Sequence, residues 1–182
     1  SCIQSRSKAM RVTLFSDAGF SPKTSMCVFT SIIESDTVNE VVLLKPERVG
    51  RNLPVVIELM GIYFGLRFLF EKHPNTSAIE IVCDSSHAIR ALKDGLGFKP
   101  AVRETVARIC NNIFKLIGPR EMTCVQRSYD TCTQIRLCDR MCNLVKKIET
   151  GGNRNTTLEL QTTEFHEYQV CGIARPTEHV LQ

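Results

Sequence analysis

Apolar side chains recur along this chain in two rhythms, alternating over short runs and returning every three or four residues over longer ones. The first marks half-buried strands and the second marks helices. Residues 11–16 read as a strand that ends at Asp17-Ala18-Gly19. Residues 25–33, rich in β-branched and apolar side chains, read as a second strand, and residues 38–44 as a third. The three together predict an antiparallel meander. A polar, basic turn follows over residues 45–52. Pro54 to His73 is the clearest helix: Pro54 suits a first turn, Asn52 is placed to cap it, and apolar residues on more than one face imply burial. Residues 78–83 form a fourth strand ending at Asp84, and residues 85–93 a short helix stopped by Gly95 and Gly97. Residues 101–117 form a helix stopped by Gly118-Pro119, 122–127 a fifth strand, and 133–148 a last helix closed by Gly151-Gly152. The order βββ-α-β-α-α-β-α predicts an α/β domain, a mixed five-stranded sheet (antiparallel meander plus parallel strands) flanked by helices.

The 182 residues suit one domain, expected at residues 10–150, with an N-terminal extension at 1–9. A tail at 151–182, with a weak strand pattern at 167–173, is expected to pack on it. No apolar run reaches the roughly 20 residues that span a bilayer, and the first residues lack a signal-peptide core. Nine cysteines, an odd number without framework spacing, suggest reduced thiols in a cytoplasmic or nuclear compartment. Cys132, Cys138 and Cys142 lie close in sequence but form no Cys-x-x-Cys pair, and His166 and Cys171 could join them only if the tail folds back. They read as buried thiols rather than zinc ligands. The net charge of +4 permits a polyanionic partner without requiring one.

Four acids change the picture: Asp17, Glu58, Asp84 and Asp139 each fall in a different predicted element. Three of them interrupt or end apolar runs, where a carboxylate is costly unless paired or metal-bound. Hard oxygen donors of this kind select Mg²⁺ or Mn²⁺.

The surrounding residues resemble the motifs of the ribonuclease H family. The run from Val12 to Gly19 resembles its first motif, a strand ending in aspartate and small residues. Glu58-Leu59-Met60 resembles its helical glutamate, Ile79 to Ser85 its strand ending in Asp-Ser, and Leu137 to Cys142 the opening of its last helix. The resemblance spans residues 10–148 with element order and spacing intact. It implies a ribonuclease H-like fold and two-metal hydrolysis of phosphodiesters, most readily in the RNA strand of an RNA–DNA hybrid, with two Mg²⁺ (or Mn²⁺) ions. It implies that Asp17 bridges both ions, that Glu58 and Asp84 complete one site and that Asp139 completes the other.

Some positions depart from the family. Val55 stands where the family commonly has an asparagine that reads the RNA strand, and Ser86 where it commonly has Gln. Phe20 to Thr24 replaces a glycine-rich stretch, and residues 128–131 carry no histidine. These departures weaken recognition of the 2′-hydroxyl and leave other readings open. One is a catalytically degenerate module binding nucleic acid or protein; another is a junction-resolvase or integrase-type nuclease acting on structured RNA or DNA. Candidate phosphate contacts are Lys23, Arg48, Arg51, Lys99, Arg103, Arg127 and Arg140. His87 reads as a partly exposed helix residue, and His73 as a cation at a helix C-terminus. The ends, Ser1 and Val180-Leu181-Gln182, resemble the products of viral chymotrypsin-like cysteine proteases. They raise the expectation of release from a viral polyprotein, with its other domains as partners.

Overall fold

The computed structural model describes residues 9–48, 53–95, 99–151 and 169–174, with side chains placed at 9–42, 53–95 and 99–146. The meander is β1 (Met10–Ser21), β2 (Met26–Glu34) and β3 (Asn39–Arg48). Helix α1 (Pro54–Lys72), β4 (Thr76–Cys83), α2 (Ser86–Asp94), α3 (Pro100–Ile117), β5 (Glu121–Gln126), α4 (Thr133–Gly151) and β6 (Gln169–Ala174) follow. The sheet order is β5-β4-β1-β2-β3-β6. β1, β2 and β3 pair antiparallel, whereas β4 pairs parallel with both β1 and β5.

The five expected strands all form, but the sheet has six. Residues 169–174 add parallel to β3, pairing Glu40 with Gln169 and Leu44 with Ala174. This strand covers a row of β3 backbone groups that would otherwise stand as an open edge. β3 itself runs on to Arg48 instead of yielding to a turn at Lys45, because its far end still pairs with Cys27 and Met26. The N-cap of α1 is Leu53, with no side-chain cap; Asn52, expected there, lies outside the described residues. Ser85 is the N-cap of α2, its hydroxyl accepting from the Ala88 amide at 3.2 Å, and Gly95 closes that helix at φ 66°.

Two cores hold the layers together. On one face, Val12 and Leu14 of β1, Phe29 and Ile33 of β2 and Ile79 and Ile81 of β4 pack against α1, α2 and α3. On the other, Phe15, Val28, Ile32, Val41 and Val82 pack against Ile135, Cys138, Met141, Cys142 and Val145 of α4. Cys132, Cys138 and Cys142 are buried in this second core. The strand alternation delivers one residue set to each core. No helix among the described residues is long and apolar enough to cross a membrane.

At the far end of α1, the buried Glu40 takes Lys72 Nζ at 3.1 Å and His73 Nε2 at 3.1 Å. Burial alone would raise its pKa. Hydrogen bonds and charge from Lys72 and His73 outweigh that and hold the carboxyl below its ordinary value. His73 does sit at the helix C-cap, and its ring is held by Glu40.

Candidate active site

The register of β1 against β4 creates the site. Ser16 pairs with Cys83, the last residue of β4, and β1 then runs on for five more residues beside β2 alone. Asp17 is therefore an interior residue of β1, paired with Thr30, rather than a strand terminus as the sequence suggested. Asp84 leaves the sheet just where it would have faced Asp17. This gap lets side chains from both faces of the sheet meet.

Each acid is held by its own element. Asp17 points to the α4 face, and is 5% exposed. Glu58 arrives from α1 on the other face. Gly61 and Gly65 lie on the same stripe of that helix, at the i+3 and i+7 positions. A Cβ at Gly61 would make only ordinary contact, 3.4 Å from Phe29 and Ser16 and 3.7 Å from Ala18, whereas one at Gly65 would lie 2.6 Å from Ser31 Oγ, so the missing side chain at Gly65 is what lets the helix settle on the sheet. Asp84 is fixed by its backbone: Gln126 Nε2 donates to its carbonyl at 3.1 Å, and the Arg127 amide donates to the Cys83 carbonyl at 3.1 Å. Asp139 is set by the docking of α4, where Thr30 Oγ1 donates to the Cys138 carbonyl at 3.1 Å. Asn143 Nδ2 donates to Asp139 Oδ2 at 3.5 Å.

The carboxylates feel one another. Burial, then the charges of Asp84 and Asp139, raise Asp17 from 3.8 to about 7, against smaller help from the Ala18 amide and Lys146. Burial, then Asp17 and Asp84, push Glu58 well above its ordinary value, opposed by hydrogen bonds from Cys83 and the Ala18 amide. Burial, then Asp139, raise Asp84. Like charges held this close in Asp17, Glu58 and Asp84 repel one another, and a cation among them would relieve that repulsion. The donors are hard oxygens in number and charge suited to Mg²⁺ or Mn²⁺, so the residues fit the ions that the resemblance implied.

Two neighbours were missed in the sequence. Cys83 Sγ donates to Glu58 Oε2 at 3.6 Å and accepts from the Ser85 amide at 3.5 Å. One ligand atom each from Glu58, Cys83 and Asp84 lie within 4.8 Å of one another. Alternation gave the signal: Cys83 precedes Asp84 by one residue and must face α1, the helix that brings Glu58. Lys146 lies seven residues, about two turns, beyond Asp139. Its charge lowers Asp17.

The candidate phosphate contacts divide. Arg127 is tied through its backbone to Cys83, and Arg140 follows Asp139 on α4. Lys23 is exposed in the β1–β2 turn, and Arg48 ends β3 opposite Met26. Lys99 and Arg103 lie at the N-terminus of α3, away from the cluster in sequence, and Arg51 is outside the described residues. His87 is exposed on α2.

No protein-family model matches the chain, and no curated protein matches it by sequence. Solved structures do match. The N-terminal RNase H domain of a Mycobacterium tuberculosis protein, solved as a fusion with maltose binding protein, superposes with a TM-score of 0.56 at 13% identity. The match covers 80% of this chain and 99% of that one. RNase H1 from the halophilic archaeon Halobacterium salinarum gives 0.56 at 15% identity, over 75% and 98% of the two chains. LC11-RNase H1, isolated from compost and solved with an RNA/DNA hybrid, gives 0.50 at 13% identity, over 72% and 96%. With the mixed sheet, the two flanking cores and the register described above, these likenesses show that the chain has a ribonuclease H-like fold.

Proposed function

We propose that this chain is a Mg²⁺- or Mn²⁺-dependent endonuclease that hydrolyses phosphodiester bonds in the RNA strand of RNA–DNA hybrids. The observation that carries this reading is the convergence of Asp17, Glu58 and Asp84 at the gap beside β4, with Asp139 within electrostatic reach. Asp17, Glu58, Asp84 and Asp139 would hold the ions. Divalent ions bound there supply activation of the attacking water and stabilisation of charge on the leaving oxygen.

The protein's own part is positioning. Gln126 and the Arg127 amide hold the backbone around Asp84, so the point from which its carboxylate projects is set before substrate arrives. Arg127, Arg140 and Lys23 offer positive charge that places a phosphate backbone without reading sequence. The LC11 enzyme's capture with an RNA/DNA hybrid supports the choice of substrate. Val56 and Ile57 are core residues packed under the sheet, which accounts for the apolar run before Glu58 on packing grounds. Val55 is only partly buried and packs against the same core.

The test is cleavage of end-labelled hybrid, duplex RNA, duplex DNA and branched DNA, each with Mg²⁺, Mn²⁺ or chelator. Cleavage of the hybrid RNA strand that needs the ion and disappears in Asp17→Asn and Asp84→Asn is expected. Hybrid bound but left intact under every condition would replace this reading with a binding module. Preferential cutting of branched DNA would replace it with a resolvase.

A further inference from the structure

We propose a second use of the same corner of the molecule: Cys83 Sγ, with the carboxylates of Glu58 and Asp84, forms a mixed sulfur–oxygen site for a thiophilic divalent ion, Zn²⁺ above all. This site differs in chemistry from an all-oxygen site for Mg²⁺. Sulfur donors favour borderline and soft ions, whereas Mg²⁺ takes oxygen and water.

The geometry suits it. Tetrahedral Zn²⁺ with bonds of about 2.3 Å to sulfur and about 2.0 Å to oxygen places those two ligand atoms about 3.5 Å apart. Cys83 Sγ and Glu58 Oε2 lie 3.6 Å apart. Asp84 supplies a third ligand atom, all three being within 4.8 Å of one another. Three protein ligands leave a fourth position open for water or a ligand oxygen. The parts are supplied by rigid elements: Cys83 is the fully buried last residue of β4 and Glu58 stands in the second turn of α1. On coordination the Cys83 thiol becomes a thiolate and its proton, now donated to Glu58, passes to solvent, one proton per ion from this group. The remaining buried cysteines, Cys27, Cys110, Cys124, Cys132, Cys138 and Cys142, belong to no such ligand group among the described residues.

The test uses the full chain and Cd²⁺, which is thiophilic and gives an ultraviolet thiolate-to-metal charge-transfer band. Titration in excess Mg²⁺ should produce that band with a stoichiometry of one, and Zn²⁺ should abolish it by competition. Cys83→Ser should remove that one equivalent while far-ultraviolet circular dichroism stays native. Glu58→Gln should keep the band but weaken Cd²⁺ by at least the roughly 10- to 100-fold that loss of even an outer-shell partner costs. An undiminished band in Cys83→Ser, or a folded wild-type chain with no band, overturns the proposal. The readout is a metal–sulfur bond and is blind to hydrolysis. A chain that shows the band yet cleaves nothing keeps this site and loses the nuclease reading; a chain that cleaves hybrid but shows no band does the reverse.

Discussion

Replacing Asp17 with asparagine should stabilise the metal-free domain even as it abolishes cleavage. The wild-type carboxylate is buried among like charges, and its pKa stands at about 7 in the fold against an ordinary 3.8. At roughly 1.4 kcal/mol per pH unit, holding that group ionised costs the folded state about 4 kcal/mol above neutral pH. Asparagine removes the charge but leaves an amide in need of partners, a cost of about 1–3 kcal/mol. The net gain expected at pH 8 is about 2 kcal/mol, which for a chain of this size is a rise in Tm of about 4–8 °C. The pH dependence follows from the sign of the shift. The folded state holds the Asp17 proton more tightly than the unfolded state does. Its stabilising contribution is therefore complete below about pH 3.8 and is lost as pH rises toward about 7. Wild-type stability in chelator should fall across that window, and the variant should fall less, the residue of the slope belonging to Glu58 and Asp84. Mg²⁺ in excess should restore the wild type through binding to the folded state alone and do little for the variant. Calorimetry at pH 5.5 and pH 8, with chelator and with Mg²⁺, measures all of this. An Asp17→Asn Tm equal to or below wild type at pH 8 in chelator would refute the claim that this corner is electrostatically frustrated.

Two further outcomes check the packing that places the site. Glu40→Gln should cost about 1–2 kcal/mol at pH 7, less than a fully buried pair because Lys72 is partly exposed. Since the Glu40 pKa is depressed, its contribution is present above the ordinary value of 4.5 and lost as pH falls through the folded value, so the difference from wild type should vanish in acid. Gly65→Ala should destabilise by about 1–2 kcal/mol despite better helix propensity, because the new Cβ would lie 2.6 Å from Ser31 Oγ. Ser31→Ala should rescue it in a double-mutant cycle, since that hydroxyl is buried and without a hydrogen-bond partner among the described residues; additive losses would contradict the close approach of α1 to β2.

The acids were legible in the sequence because three of the four interrupt or end an apolar run that needs explaining. The five strands were legible because alternation over Val12–Phe15 or Ile79–Cys83 has few other readings. Boundaries were less so. β1 looked finished at Asp17-Ala18-Gly19, yet pairing with Met26–Thr30 carries it to Ser21, a tertiary partner overriding local small-residue signals. β3 outran its polar turn for the same reason. Cys83 and Lys146 escaped notice because a thiol inside a strand and a lysine on a helix are unremarkable until register and helical phase bring them beside Glu58 and Asp17. The sixth strand was visible only as a faint pattern, since residues 169–174 acquire their role from the bare margin of β3.

That last strand sets where the molecule can be cut. A chain ended at Gly151 would keep all four acids and every helix among the described residues, yet it would expose the β3 margin from Glu40 to Leu44 that Gln169–Ala174 now occupies. An uncovered margin of this kind recruits strands from neighbouring copies, so trimming to the minimal motif-bearing region would invite self-association. The useful C-terminal limit for expression lies beyond Ala174.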